Sequence, residues 1–115
     1  MPIIKMKREN LLQETLEILK KYGITFNDII YVTTQKYKEE CVEWSTEQFI
    51  EEAAEIEYDS SYGMNEINMT LRLIGKTFWI ERAEYDGSEW WVYKEIPTRP
   101  SCKGNGKIPI LDEYF

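Results

Sequence analysis

The sequence predicts a single α+β domain in which two helices accompany a small antiparallel β-meander ending in an Asp-Gly hairpin. Three observations carry that prediction. From Phe78 to Glu95, FWIERAEYDGSEWWVYKE, aromatic and β-branched residues flank Asp86-Gly87. That dipeptide suits a two-residue type I′ turn, in which both central positions take positive φ. The segments 10–22 and 45–57 repeat apolar residues at helical spacing. A chain of 115 residues, 43% hydrophobic and 14% aromatic, is long enough for one core and short for two domains.

In the first helix Leu11, Leu12, Leu16, Leu19 and Tyr22 form the apolar stripe, with Ile18 beside them. Asn10 caps its start, Gln13 is placed to reach back as in a capping box, and Lys20, Lys21 and Gly23 match the preferences of a helix end. Ile29 to Thr34, IIYVTT, follows the turn signal Asn27-Asp28 and reads as a strand. Lys36 to Trp44 fits a helical stripe through Tyr37, Cys41 and Trp44 equally with a strand around Val42, so it stays open. Ser45 caps the second helix with Gln48 three residues on, and Phe49, Ile50, Ala53, Ala54 and Ile56 follow. DSSYGMNE, residues 59–66, has the composition of a loop. Met69, Leu71 and Leu73 alternate with Thr70 and Arg72 up to Gly75-Lys76, giving a strand that leads into the hairpin and a three-stranded meander. Three of the four prolines lie beyond Ile96, so residues 96–115 are expected as an extended tail, which Ile108, Ile110, Leu111 and Phe115 can tie to the body.

With Asp86-Gly87 as the turn, the hairpin register follows: Tyr85 opposes Ser88, Glu84 opposes Glu89, Ala83 opposes Trp90, Arg82 opposes Trp91, Ile80 opposes Tyr93 and Phe78 opposes Glu95. One face carries Trp79, Ala83, Tyr85, Trp90 and Val92, and the other Phe78, Ile80, Arg82, Trp91 and Tyr93. Glu84 against Glu89 is a like-charge pair, which is destabilising. Arg82 lies on the same face and can bond either carboxylate while covering the Trp91 indole. The alternatives are that both carboxylates await a partner's cation, or that a one-residue bulge removes the conflict. Two helices can cover one face of a small sheet, and aromatics on the other face would then form a patch of the kind that binds partners.

Twenty-one acidic against fourteen basic residues give a formal charge of −7, which repels nucleic acid and suits a basic partner. On the second helix Glu47, Glu51 and Glu55 recur every four residues beside Glu52, with no lysine or arginine to offset them. Cys41 and Cys102 are isolated and there is no histidine, so neither a zinc site nor a Cys-His nucleophile is expected, and both cysteines are expected as reduced thiols. Asp59, Glu66, Glu81, Glu84, Asp86 and Glu89 supply carboxylates for acid-base work or a hard cation, yet no EF-hand, phosphate loop or G-x-S-x-G turn is present. The expectation is a protein that is not an enzyme and uses no cofactor or metal. MPIIKMKREN lacks the apolar core of a signal peptide and no run approaches the roughly 20 residues that span a bilayer, so the expected location is the cytoplasm.

The run WIERAEYDGSEWW, Trp79 to Trp91, preceded by EYDSSYG at Glu57 to Gly63 and by Glu66-Ile67, resembles small proteins of bacteriophages and prophages that carry a W-x-x-R-x-E-Y-D-G-S-E-W-W hairpin. The resemblance covers Trp44 to about Pro100, brings no catalytic residues with it, and implies an accessory protein of a mobile element acting inside a bacterial cell. The expected function is to bind and inhibit or redirect a bacterial host protein with a basic surface, such as a nucleic-acid-targeting defence nuclease of the CRISPR effector type. The candidate binding residues are Glu47, Glu51, Glu52 and Glu55 on the helix, and Glu84, Asp86, Glu89, Trp90 and Trp91 on the hairpin. The alternative is a structural module that buries its spare aromatic face in a homodimer.

Overall fold

The computed structural model describes residues 8–35, 41–59, 66–101, 104 and 106–108. Over these residues the chain runs β1 (Arg8–Asn10), α1 (Leu11–Lys21), a 3₁₀ turn (Phe26–Asp28), β2 (Ile29–Gln35), β3 (Cys41–Trp44), α2 (Thr46–Ala54), β4 (Glu57–Asp59), β5 (Arg72–Gly75), β6 (Phe78–Tyr85) and β7 (Ser88–Glu95). The fold is α+β. Five antiparallel strands form the main sheet in the order β3-β2-β5-β6-β7, and β1 pairs with β4 in a separate two-stranded ribbon.

Both helices start where their sequence places the cap. Asn10 accepts from the Gln13 backbone N–H at 3.1 Å and turns its amide N–H to the Ala54 carbonyl at 2.9 Å, which ties the start of α1 to the end of α2. Ser45 and Gln48 form a reciprocal capping box on α2. α1 ends at Gly23, whose φ of +67° is open to a residue without a Cβ. At the hairpin, Asp86 (φ 51°) and Gly87 (φ 85°) both occupy the left-handed region, as a type I′ turn requires, and every pair from Phe78↔Glu95 to Tyr85↔Ser88 holds the expected register without a bulge.

The sheet is wider than the three-stranded meander the sequence suggests. β2 enters between β3 and β5, and the open segment is resolved over Cys41–Trp44 as strand β3; residues 36–40 lie outside the described set. The stretch 59–66 begins as the last residue of β4, and residues 60–65 are likewise outside it. Residues 96–101 have no regular structure, and Ile108 is exposed and does not fasten the tail, while Ile110, Leu111 and Phe115 fall outside the described residues.

Register arranges the core. Trp44, Val32, Leu73, Ile80 and Tyr93 stand side by side across the five strands, and the middle three are fully buried. Leu11 and Leu19 of α1 and Phe49 and Ala53 of α2 close over that row. Gly75 is buried where the Phe78 ring crosses it, and a Cβ there would overlap the ring. The next rows, Glu43-Thr33-Arg72-Glu81-Val92 and Tyr31-Ile74-Trp79-Lys94, point to the opposite face, which neither helix covers.

Candidate functional site

The hairpin divides into an inner half locked by charge and an outer half left open. On the inner half Arg82, 3% exposed, projects from β6 under α1. Its guanidinium donates to Glu14 Oε1 at 2.8 Å, to Glu89 Oε1 at 3.2 Å and to the Tyr58 hydroxyl at 2.9 Å. It lies 4.7 Å from the centre of the Trp91 ring and 5.5 Å from that of Tyr58. Tyr58 in turn donates its hydroxyl to Glu14 Oε2. Burial opposes the positive charge of Arg82, but Glu14 and Tyr58 outweigh it and hold the guanidinium above its ordinary pKa. Burial, and then the bond to Glu14, push the Tyr58 hydroxyl up as well, so it stays protonated.

The network continues into the backbone. Glu89 accepts from the Glu66 N–H at 2.9 Å and the Ile67 N–H at 3.1 Å, and Glu66 accepts from the Asp59 N–H at 2.6 Å. Trp91 donates its indole N–H to Thr15 at 3.0 Å, and Thr15 donates to the Leu11 carbonyl. Arg82 Nε is buried and has no hydrogen-bond partner among the described residues. These carboxylates act as counter-ions and backbone acceptors that fix the 66–67 turn, β4, α1 and the hairpin to one another.

Two candidate binding residues are therefore corrected. Glu89 (3% exposed) and Trp91 (5% exposed) sit inside the fold, because Arg82 draws the carboxylate inward and Thr15 holds the indole against α1. The opposition of Glu84 and Glu89 is real, and Arg82 resolves it as an internal counter-ion while Glu84 turns to solvent. Glu84, Asp86 and Trp90 (41% exposed) remain at the surface, joined at the tip by Tyr85 (77% exposed). Glu47, Glu51, Glu52 and Glu55 all face solvent on α2. The structure does not bring the two groups together: one lies on the second helix, which packs on β2, and the other at the far edge of the sheet.

On the helix-free face Glu81 accepts the Trp79 indole N–H at 2.7 Å and meets Lys94 at 3.2 Å. The indole bond is the largest cause that holds its carboxyl below the usual range; burial opposes it, and Lys94 and then Arg72 add to the lowering. Glu66 and Glu89 are links in a backbone-capping chain that Asp59 joins through its N–H, and among the described residues no three His, Cys, Asp or Glu side chains are grouped to hold a metal ion. Among the described residues no helix is long and apolar enough to cross a membrane. Cys41 is an exposed free thiol. Sequence reasoning missed Glu14 and Tyr58 as members of the network. Glu14 lies 68 positions from Arg82, and no local pattern couples residues that far apart.

The chain matches no protein-family model, no curated protein and no solved structure.

Proposed function

We propose that this chain is a non-catalytic accessory protein of phage type that binds, and thereby inhibits or redirects, a bacterial protein carrying a basic surface. The observation that supports this reading is the hairpin tip: Tyr85 and Trp90 expose aromatic area beside the free-standing carboxylates Glu84 and Asp86, on a base held rigid by the Arg82 network. Exposed aromatics on a preorganised support are the usual anchors of protein interfaces, since little side-chain freedom is lost when they dock. The charge of −7 steers such a tip toward a cationic partner and away from nucleic acid itself. A nucleic-acid-targeting defence nuclease fits that chemistry, because its substrate groove is basic. Glu47, Glu51, Glu52 and Glu55 extend the negative field on a second side of the molecule.

The test is affinity capture with the tagged chain from lysates of candidate bacterial hosts, read by mass spectrometry, beside the variants Trp90→Ala and Glu84→Lys with Asp86→Lys. A stoichiometric basic partner that is retained by the wild type and lost with the tip variants supports the proposal. Recovery of the chain alone, with a dimeric mass in sedimentation, moves the assignment to the homo-oligomeric module, which would use the helix-free row of Tyr31, Ile74 and Trp79.

A further inference from the structure

Strand β7 is the outermost strand of the main sheet and is eight residues long, twice the length of β3 at the opposite edge. Its outward groups can be assigned from the ladder. The Ile96 N–H donates to the Thr77 carbonyl at 2.8 Å, so the even-numbered residues of β7 bond to β6. The odd-numbered residues, Glu89, Trp91, Tyr93 and Glu95, turn N–H and C=O away from the sheet. Among the described residues no other backbone bond reaches them. Natural sheets blunt a long edge of this kind, because it is a ready template for another strand.

Beside that edge runs a cleft of about 250 Å³, bounded by Glu9, Glu14, Glu17 and Lys21 on one side and by Glu89 and Trp91 on the other. Glu14 and Glu89 share the single charge of Arg82 and Glu17 stands with Lys21, so even without Glu9 the carboxylates outnumber the cations among the described residues of the cleft. Side chains of a strand added to β7 would alternate between this acidic cleft, under α1, and the outer face beside Trp90 and Val92. A second copy of the chain fits poorly in the register centred on Val92. Antiparallel pairing of two β7 strands about Val92 sets Glu95 of one against Glu89 and the acidic cleft of the other.

We infer that β7 and the α1 cleft together bind an extended segment of a basic partner by strand addition, with lysine or arginine on its cleft-facing positions and apolar residues on the alternate ones. This rests on the protein-binding reading above and names the form in which the partner is bound. Backbone pairing supplies the register, and the negative field of the cleft, with Glu17 exposed on its wall, selects against acidic strands.

The experiment uses the full chain and two fluorescein-labelled peptides of about ten residues, long enough to span one strand. One alternates valine and lysine, the other valine and glutamate. Anisotropy reads affinity, and amide hydrogen exchange by NMR reads the edge. The expected result is binding of the valine-lysine peptide alone, new protection at Glu89, Trp91, Tyr93 and Glu95 with no gain at Ser88, Trp90, Val92 and Lys94, and about tenfold weaker binding by Glu17→Lys, a change of about 1.4 kcal/mol. Binding without that alternating protection is diffuse charge attraction and overturns the inference. Protection that grows with protein concentration and needs no peptide assigns the edge to a second copy and also overturns it. If no peptide binds while the tip-dependent partner is still captured from lysate, the strand-addition inference fails alone; if both fail, the protein-binding reading fails with it.

Discussion

The molecule holds two populations of carboxylates that look alike in sequence and behave in opposite ways. Glu14 of α1 and Glu89 of β7 have a guanidinium between them and every side-chain oxygen occupied by a donor. Glu47, Glu51, Glu52 and Glu55 line α2 with no basic side chain in its last turn, and all face solvent. The difference is topological. Arg82 stands on the hairpin strand β6 and reaches α1 and β7 together, whereas among the described residues no ion pair involves Glu47, Glu51, Glu52 or Glu55. The first population joins elements that are far apart in sequence, and the second gives the surface its negative field.

Breaking the inner cluster has the largest effect. Arg82→Met leaves the buried Glu89 and the partly buried Glu14 without a counter-ion and should cost about 3–5 kcal/mol, read as the shift in urea midpoint by circular dichroism. Adding Glu14→Gln and Glu89→Gln to that variant should restore part of the loss, because the uncompensated charges disappear; simple additivity would instead mean that the three residues act independently. Glu89→Gln alone should cost about 1–3 kcal/mol, since the carboxylate is shared by Arg82 and two backbone N–H groups. Its cross-strand neighbour gives the sharpest control. Glu84→Gln, one strand away and exposed, should stay within about 0.5 kcal/mol of wild type.

The cluster also sets an alkaline limit. Tyr58 has a native pKa above the ordinary value of 10.0, chiefly through burial and then its bond to Glu14. As the pH rises past that value the unfolded chain loses the proton while the folded chain keeps it. Stability is therefore full below about pH 10 and falls above it by about 1.4 kcal/mol per pH unit, until the native hydroxyl itself ionises. Tyr58→Phe should start from a lower plateau and show a shallower decline in thermal unfolding between about pH 9 and pH 12. An unchanged slope would assign the alkaline limit to another group.

How much of this was legible in the sequence depended on the range of the interaction. The Asp86-Gly87 turn, the Asn10 and Ser45 caps and the hairpin register are local, with their determinants within a few residues, and each is found where the sequence puts it. The insertion of β2 between β3 and β5 is a long-range pairing that alternation in IIYVTT cannot specify, and CVEW is too short to separate strand from helix by period. At the candidate site, the pairing of Glu84 with Glu89 pointed to a missing cation, and Arg82 was its nearest source. The partner on α1 and the hydroxyl from β4 carried no signal of their own. Trp90 and Trp91 are adjacent in sequence, and strand alternation alone puts them on opposite faces; the placement of α1 decides which is buried.

The smallest expected effect falls on the outer population, and its sign is reversed. In α2 Glu47, Glu51 and Glu55 are spaced four apart, and each like-charge pair costs an exposed helix a few tenths of a kcal/mol. Glu51→Lys turns two repulsive pairs into attractive ones, so it should stabilise the fold by about 0.5 kcal/mol at low salt, with the gain shrinking as salt screens it. If the same variant also weakens capture of the basic partner, stability and binding move in opposite directions at one residue. A purely solvating glutamate would gain stability and leave binding untouched. The inner carboxylates can show no such split, since removing either one loosens the hairpin that carries Tyr85 and Trp90. Measuring both quantities on Glu51→Lys thus tells whether the unpaired row serves binding or solubility.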